Sequence, residues 1–124
     1  MDNVHKVLII DDDPDVLETL QAVLTNRGFK IDTLLDVTQL RDRITQFKPD
    51  VILLDVTLKE AHGGEVCKEL KTCGIAQKIP VILFSGDRNI KESYKVYLAD
   101  DFIEKPVKIN NLVSALRQAN VKIQ

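Results

Sequence analysis

The sequence has no apolar run long enough to cross a membrane. Its longest runs, such as Val7–Ile10 and Val51–Leu54, fall far short of the ~20 residues that a membrane-spanning helix needs. The first residues, Met1-Asp2-Asn3, do not form a basic start followed by an apolar stretch, so they carry no sign of a secretory signal. We therefore expect a cytoplasmic protein with no membrane partner.

Cysteine is also scarce. Cys67 and Cys73 have a C-x5-C spacing, which matches no common zinc pattern, and two cysteines do not make a disulfide scaffold. We expect two reduced thiols, both at least partly buried.

An excess of positive charge is absent as well. The chain has 17 Lys and Arg and 19 Asp and Glu, a net charge of −2, which argues against a protein built to bind nucleic acid directly. Apolar residues make up 44% and charged residues 29%, so the chain as a whole is not disordered. Its 124 residues fit one domain, residues 1–124.

The sequence repeats one short pattern, in which an apolar run is followed by turn residues and then by a helical period. Runs that are apolar on both faces need helices on both sides, which indicates a parallel sheet, and right-handed crossovers leave few topologies. We predict an α/β fold with a doubly wound five-stranded parallel sheet, strand order 2-1-3-4-5, in a flavodoxin-like sandwich. The predicted strands are Val4–Ile10, Phe29–Leu35, Val51–Val56, Val81–Phe84 and Phe102–Ile103.

Capping residues indicate where the helices begin and end. Pro14 suits a first helical position with Asp13 as its N-cap, and Gly28 suits the C-cap of the same helix. Asp36-Val37-Thr38-Gln39 resembles a capping box that opens the second helix. The fourth helix, Ile90–Leu98, is short and ambiguous. The third and fifth helices run through Val66, Cys67 and Leu70, and through Ile109, Leu112, Val113 and Leu116.

Polar side chains follow four of the five predicted strands. Because sites in such sheets form at the carboxyl ends of the strands, these residues meet at one edge. Asp13 is explained as a helix cap, but two further aspartates beside it are not. Strands one and three are neighbours in the predicted order, so three carboxylates converge, which is costly unless a cation is present. The residues are Asp11, Asp12 and Asp13 after strand one, Asp55 just inside or at the end of strand three, Ser85 after strand four and Lys105 after strand five.

These groups together predict a phosphoryl acceptor site with Mg²⁺. This hard ion takes one or two carboxylates, keeps several waters and completes its shell with a phosphate oxygen. Ser85 offers a hydroxyl donor and Lys105 a point positive charge, both suited to phosphoryl oxygens. A carboxylate would attack phosphorus and form an acyl phosphate while the metal and the lysine offset the growing charge.

The sequence resembles the receiver domain of response regulators in two-component signalling, a chemotaxis-regulator-like fold, over essentially the whole chain. Each motif alone is moderately specific, whereas all of them in this order and spacing are highly specific. The motifs are the acidic stretch Val7–Pro14, the phosphoacceptor strand Val51–Val56, the turn glycine Gly63, the strand Val81–Gly86 that ends in the switch hydroxyl, and the closing stretch Ala99–Pro106.

The resemblance implies roles for the acidic residues. Asp55 would accept a phosphoryl group from the phosphohistidine of a histidine kinase or a phosphotransfer protein, or from a small acyl phosphate. Asp12 and Asp55 would ligate Mg²⁺ directly. Asp11 would help through water, and Thr57 would supply its backbone carbonyl. The domain would be a signalling switch that catalyses only its own phosphorylation and dephosphorylation, not a turnover enzyme.

The resemblance also implies how the signal leaves. Ser85 and Lys105 would bind the phosphoryl group, and Phe102 would be the aromatic switch residue. The Lys105–Pro106 bond would be cis. The output face would comprise the fourth helix, fifth strand and fifth helix, with Tyr94 and Tyr97 as candidate contacts to a target protein, an effector domain or a second copy.

Three departures from the family pattern bear on output. Lys59 replaces a common proline, so we expect the loop Thr57–Gly63 to be more mobile or differently shaped. The stretch Ser85–Lys105 is slightly short and lacks a glycine before Ala99, so we expect a truncated or irregular fourth helix. Lys108 replaces the usual capping residue, so the last helix should start poorly.

Alternative functions remain open. A flavodoxin-like cofactor binder needs a phosphate-cradling loop where Asp11–Asp13 stands, and an aspartate-based phosphatase needs a second acid where Thr57 stands. The main alternative is a phosphate-independent interaction module with a receiver fold. The chain would be either a stand-alone receiver or a fragment of a longer regulator. We interpret His62 as a solvated loop residue.

Overall fold

The computed structural model describes residues 6–123, which form five consecutive βα units. The strands are β1 (Lys6–Ile10), β2 (Lys30–Leu34), β3 (Val51–Asp55), β4 (Val81–Ser85) and β5 (Asp101–Glu104). The helices are α1 (Pro14–Asn26), α2 (Leu40–Phe47), α3 (Gly63–Thr72), α4 (Ile90–Ser93) and α5 (Ile109–Ile123). The first two residues of the predicted first strand, Val4 and His5, lie outside the described residues.

The strands form one parallel sheet in the order β2-β1-β3-β4-β5, which confirms the predicted topology. Ile10 pairs with Leu54, and Asp55 pairs with Phe84. The carboxyl ends of β1, β3 and β4 therefore lie side by side in the middle of the sheet.

Both faces of the sheet are covered, as the two-sided apolar strands require. Val7 and Ile9 of β1 belong to a core cluster with residues of α1 and α5, whereas Leu8 and Ile10 belong to a second cluster with residues of α2 and α3. All four side chains are fully buried, and burying each contributes about 1.5–3 kcal/mol. Two cores thus hold the central strands and fix the edge at which they end.

The first helix follows its capping residues closely. Asp13 is the N-cap, and its Oδ1 accepts a hydrogen bond from the Asp15 N–H at 2.9 Å, with Pro14 in the first helical position. The C-cap is Arg27 rather than Gly28, which follows with a φ of +97°. Glycine adopts this left-handed conformation without the strain that a Cβ would cause.

The capping box predicted for the second helix is wrong. The Asp36 Oδ1 accepts hydrogen bonds from the backbone N–H of Thr38 at 3.0 Å and from its hydroxyl at 2.6 Å. These bonds form a turn ahead of the helix and lower the pKa of Asp36. The helix then begins at Leu40, and its N-cap, Gln39, makes no side-chain capping bond.

The fourth helix is truncated, as its short segment predicts. It ends at Ser93 instead of Leu98, and the residues that follow form turns. Leu98 has a φ of +64° at the position where the family pattern has a glycine. The N–H of Leu98 donates to the Lys95 carbonyl at 3.0 Å, and the N–H of Ala99 donates to the Tyr94 carbonyl at 3.1 Å. A leucine in a left-handed conformation therefore closes this segment.

The two cysteines differ in burial. Cys67 is fully buried on the sheet-facing side of α3, and burial raises the pKa of its thiol to about 12. The Cys73 residue is exposed. The prediction that both thiols are at least partly buried is therefore wrong for Cys73. Cys73 is the C-cap of α3, where the chain leaves the helix on its way to β4. Among the described helices, none has the length and apolar content needed to span a bilayer.

Candidate functional site

Three carboxylates converge at the carboxyl edge of the sheet, as predicted. Asp11 follows β1 and Asp55 ends β3, and these side chains are almost fully buried, whereas Asp12 is half-buried. One carboxylate oxygen from each of the three residues lies within 4.8 Å of the other two. The pairing of β1 with β3 brings these residues together.

Lys105 lies between two of the carboxylates. Its Nζ is 3.3 Å from the Asp11 Oδ2 and 3.3 Å from the Asp55 Oδ1, and it lies 4.8 Å from the centroid of the Phe84 ring. The backbone N–H of Lys105 donates to the Ser85 carbonyl at 2.8 Å, which fixes where the lysine leaves β5. One ammonium group thus offsets part of the charge of a cluster of three carboxylates, and this local excess of negative charge suits a cation.

The electrostatics of Asp55 reflect this excess. Burial and the neighbouring charge of Asp11 raise the pKa of Asp55 to about 6, while Lys105 and the Thr57 N–H act in the opposite direction. That N–H donates to the Asp55 Oδ1 at 3.2 Å. At neutral pH the carboxylate is therefore mainly ionised, in a setting that opposes its charge.

The donor set fits Mg²⁺. The ion prefers carboxylate, carbonyl and water oxygens, and the carboxylates of Asp11, Asp12 and Asp55 converge closely enough to share one. Burial and repulsion from Asp11 raise the pKa of Asp55, and a divalent cation would relieve that repulsion. Thr57 lies at the start of the β3–α3 loop, beside these carboxylates.

The β3–α3 loop, residues 56–62, is closed by backbone bonds although Lys59 stands where the family pattern has a proline. An isolated antiparallel bridge pairs Thr57 with His62, and the Leu58 N–H donates to the Ala61 carbonyl at 3.2 Å while the Leu58 side chain is buried. The Gly63 N–H donates to the Val56 carbonyl at 2.7 Å. The buried leucine and these bonds close the loop without the proline.

Gly63 permits a close backbone approach at the end of this loop. A Cβ at position 63 would lie 2.0 Å from the backbone carbonyl oxygen of Asp55. Because this oxygen belongs to the backbone, no side-chain movement could remove the clash. Only glycine therefore lets α3 begin directly against the end of β3.

His62 has a structural role that the sequence interpretation missed. Its side chain is exposed, as expected, but its Nδ1 accepts hydrogen bonds from the backbone N–H groups of Gly64 at 3.1 Å and Glu65 at 3.4 Å. His62 is thus the N-cap of α3. The signal available in the sequence was its position directly before the helix, but histidine is not among the preferred N-cap residues.

Ser85 lies at the end of β4 and is buried. Its Oγ accepts a hydrogen bond from the Asp87 N–H at 2.9 Å, which leaves the hydroxyl proton available to an acceptor in the site. The adjacent Phe84 carbonyl accepts the Val56 N–H at 3.1 Å, so the ends of β4 and β3 are tied together.

Phe102 lies on β5 and pairs with Leu83. Its ring is half-buried, and its centroid is 4.9 Å from that of Tyr94. The Lys105–Pro106 peptide bond is cis, as the resemblance implied.

The sequence model of one protein family, the response regulator receiver domain, matches residues 7–117 of this chain. The chain belongs to this family. Receiver domains are the phosphorylation-dependent switches of two-component signalling rather than turnover enzymes. The match covers every residue of the site described above.

Individual relatives agree with this assignment. Protein RcaC of Microchaete diplosiphon is 36% identical over 106 residues, which cover 84% of this chain and 16% of RcaC. Response regulator MprA of Mycobacterium sp. (strain KMS) is 28% identical over 114 residues, 90% of this chain and 49% of MprA. The chain thus spans about half or less of the length of these curated relatives.

A solved structure shows the same fold. The receiver domain of the Francisella response regulator 1452 aligns with 97% of this chain and 99% of its own, with a TM-score of 0.85 and 23% identity.

Proposed function

We propose that this receiver domain, residues 1–124, is a cytoplasmic switch that accepts a phosphoryl group on Asp55 in a Mg²⁺-dependent reaction. The arrangement of Asp55 carries the proposal: it is a buried carboxylate that shares Lys105 with Asp11 and lies within 4.8 Å of two other carboxylates. The donor would be the phosphohistidine of a histidine kinase or phosphotransfer protein.

The transfer step uses the ionised form of Asp55. A carboxylate oxygen forms a bond to phosphorus while the N–P bond of phosphohistidine breaks, and its electron pair returns to the ring nitrogen. The histidine ring leaves as neutral imidazole after taking one proton, and an aspartyl phosphate remains. Although burial and Asp11 raise the pKa of Asp55 to about 6, the nucleophile is still mainly ionised at neutral pH.

Other residues would hold the phosphoryl group. The ammonium of Lys105, already directed at Asp55, would bind one phosphoryl oxygen, and the Ser85 hydroxyl would donate to another. The carboxylates of Asp11, Asp12 and Asp55 and the Thr57 carbonyl would hold Mg²⁺. When bound, the metal would neutralise charge that develops on the transferring group.

The output face would be formed by α4, β5 and α5. Ser85 and Phe102 lie on neighbouring strands, so a shift of the serine towards a phosphoryl group changes the space beside the aromatic ring. That ring contacts Tyr94, in the segment that follows α4. A target protein, an effector domain or a second copy of the chain would bind there.

Intact mass spectrometry tests the acceptor. With acetyl phosphate and Mg²⁺, the protein should gain one phosphoryl group, and with a chelator it should gain none. Asp55→Asn should gain none in either condition, while Asp13→Asn, which alters a helix cap beside the site, should behave like the wild type. Equal gain in Asp55→Asn would mean that another residue is phosphorylated.

The alternative is a phosphate-independent interaction module with the same fold. Such a module would gain no phosphoryl group, and its partner binding would be unaffected by acetyl phosphate. The buried acidic cluster weighs against it, because burying ionised carboxylates without a functional cation costs stability.

A further inference from the structure

Two side chains connect the β3–α3 loop to the segment that follows α4. The ring centroids of His62 and Tyr97 are 5.1 Å apart, at an interplanar angle of 47°. His62 also caps α3 and pairs with Thr57 across the loop. The loop that carries Thr57 therefore contacts the output side of the molecule directly.

The Tyr97 ring packs against the start of α3, over Gly64. A Cβ built at Gly64 would lie 2.5–2.7 Å from three atoms of the tyrosine ring, so the ring occupies the space that any larger residue at position 64 would need. The ring is half-buried, with the helix N-terminus on one side and the His62 imidazole beside it. A displacement of His62 therefore changes the packing of Tyr97.

We propose that His62 is a positioning residue. It couples the β3–α3 loop, which carries Thr57, to the segment 94–98 through Tyr97. This inference rests on the proposed function, because it assigns Thr57 to the metal site. With the Thr57 carbonyl held in the metal site, the bridge to His62 would transmit that constraint, and the imidazole ring would fix Tyr97. Because coupling between two sites is reciprocal, a loose Tyr97 weakens the metal site.

This link is separate from the contact between Phe102 and Tyr94. Tyr94 packs against β5, whereas Tyr97 packs against the β3–α3 loop and α3. The two tyrosines thus attach one short segment to two parts of the molecule that border the phosphorylation site.

The chain offers a direct readout of this coupling. It contains two tyrosines, Tyr94 and Tyr97, and no tryptophan, so its intrinsic fluorescence comes from this segment. In Tyr94→Phe, which keeps an aromatic ring against Phe102, Tyr97 is the single reporter. In Tyr97→Phe, Tyr94 is the single reporter and serves as the matched control.

The experiment is a titration with MgCl₂ followed by tyrosine fluorescence, at a temperature where far-UV circular dichroism shows each variant folded. Tyr94→Phe should report Mg²⁺ binding through Tyr97. Adding His62→Asn, which keeps a capping acceptor but removes the imidazole, should abolish this change and raise the Kd for Mg²⁺ by about threefold or more. Isothermal titration calorimetry supplies the Kd independently of fluorescence.

Two comparisons separate positioning from general destabilisation. Tyr97→Ala should weaken Mg²⁺ binding as His62→Asn does. The variant that carries both substitutions should have a Kd for Mg²⁺ no higher than the higher of the two single-variant values. Tyr94→Ala should leave the Kd unchanged. If Tyr97→Ala does not fold, Tyr97→Leu takes its place.

The coupling is refuted if His62→Asn binds Mg²⁺ like the wild type, or if Tyr94→Ala weakens binding as much as Tyr97→Ala. A wild-type chain that binds no Mg²⁺ in calorimetry would instead overturn the proposed function itself.

Discussion

The carboxyl group of Asp55 carries a charge that its surroundings oppose. Burial and the neighbouring Asp11 raise its pKa from an ordinary value of 3.8 to about 6. Because the folded-state pKa lies above the unfolded one, the protonated side chain stabilises the fold below about pH 4, and this contribution is lost as the pH rises through about 6.

Asp55→Asn should therefore stabilise the protein at neutral pH. The amide stays neutral, so in chelator at pH 7.5 we expect its free energy of unfolding to exceed that of the wild type by about 1–2 kcal/mol, with the difference vanishing near pH 4. Urea unfolding at several pH values measures it. A difference that does not vary with pH would contradict the shifted ionisation.

The residues of the site differ in how far the sequence could predict them. Asp11 and Lys105 directly follow their strands and Asp55 is the last residue of its strand, so the topology alone brings them to one edge. The contact between His62 and Tyr97 joins residues far apart in the sequence, on segments without regular periodicity. Such a contact depends on the path of two loops, which local patterns do not determine.

Among the elements, α3 shows a conflict between helix propensity and packing. Gly64 lies in its first turn, where alanine would favour the helix by up to about 1 kcal/mol. A Cβ there would meet the Tyr97 ring at 2.5 Å. The glycine therefore serves the contact between elements at the expense of the helix itself.

We expect Gly64→Ala to destabilise the wild type by about 1–2 kcal/mol, because the new methyl group must displace the Tyr97 ring. In the Tyr97→Ala background the same substitution should stabilise the protein, by up to about 1 kcal/mol. Urea unfolding of the four proteins gives both values and the interaction energy between the sites. Additive effects would show that the tyrosine does not occupy this space.

The boundaries of α2 and α4 show why element ends were harder to predict than the elements. At α2, Asp36 has the sequence of a cap but bonds to Thr38 two residues later, which forms a turn instead. At α4, the helical pattern continues to Leu98, yet the chain must return to β5 within a few residues. The strands were predicted more accurately because their apolar runs fill the two cores.

At the scale of the whole molecule, the central strands β1 and β3 end at a site where negative charge exceeds positive charge. Lys105 compensates part of that charge, and the remaining repulsion is unfavourable to the fold in the absence of a cation. A ligand that binds only the native state stabilises it by RT ln(1 + [L]/Kd), or about 1 kcal/mol at a few times the Kd.

Mg²⁺ should therefore raise the melting temperature. Asp12→Asn, which removes one of the converging charges, should melt at a higher temperature than the wild type in chelator and gain less from Mg²⁺. Calorimetric melts with MgCl₂ and with chelator measure both effects, and Asp42→Asn, on the exposed side of α2, is the control. A full Mg²⁺ response in Asp12→Asn would refute the metal site.

Phosphorylation should alter protection across the output face. With beryllofluoride, a mimic of the phosphoryl group, changes in amide hydrogen exchange should extend from the site through Ser85 into residues 88–106. The truncated α4 and the turns after it are held mainly by local backbone hydrogen bonds between residues three to five positions apart, so this segment should respond most readily. Changes confined to the loops around Asp11 and Asp55 would place the output elsewhere.

The unequal burial of the two cysteines makes the unmodified protein suitable for site-specific labelling. Cys73 is exposed at the end of α3, whereas Cys67 is fully buried and its pKa is raised to about 12. A maleimide dye should therefore attach once to the native chain and twice after denaturation. The first label provides a spectroscopic probe on α3 without mutagenesis, and the rate of the second reports how often α3 separates from the sheet.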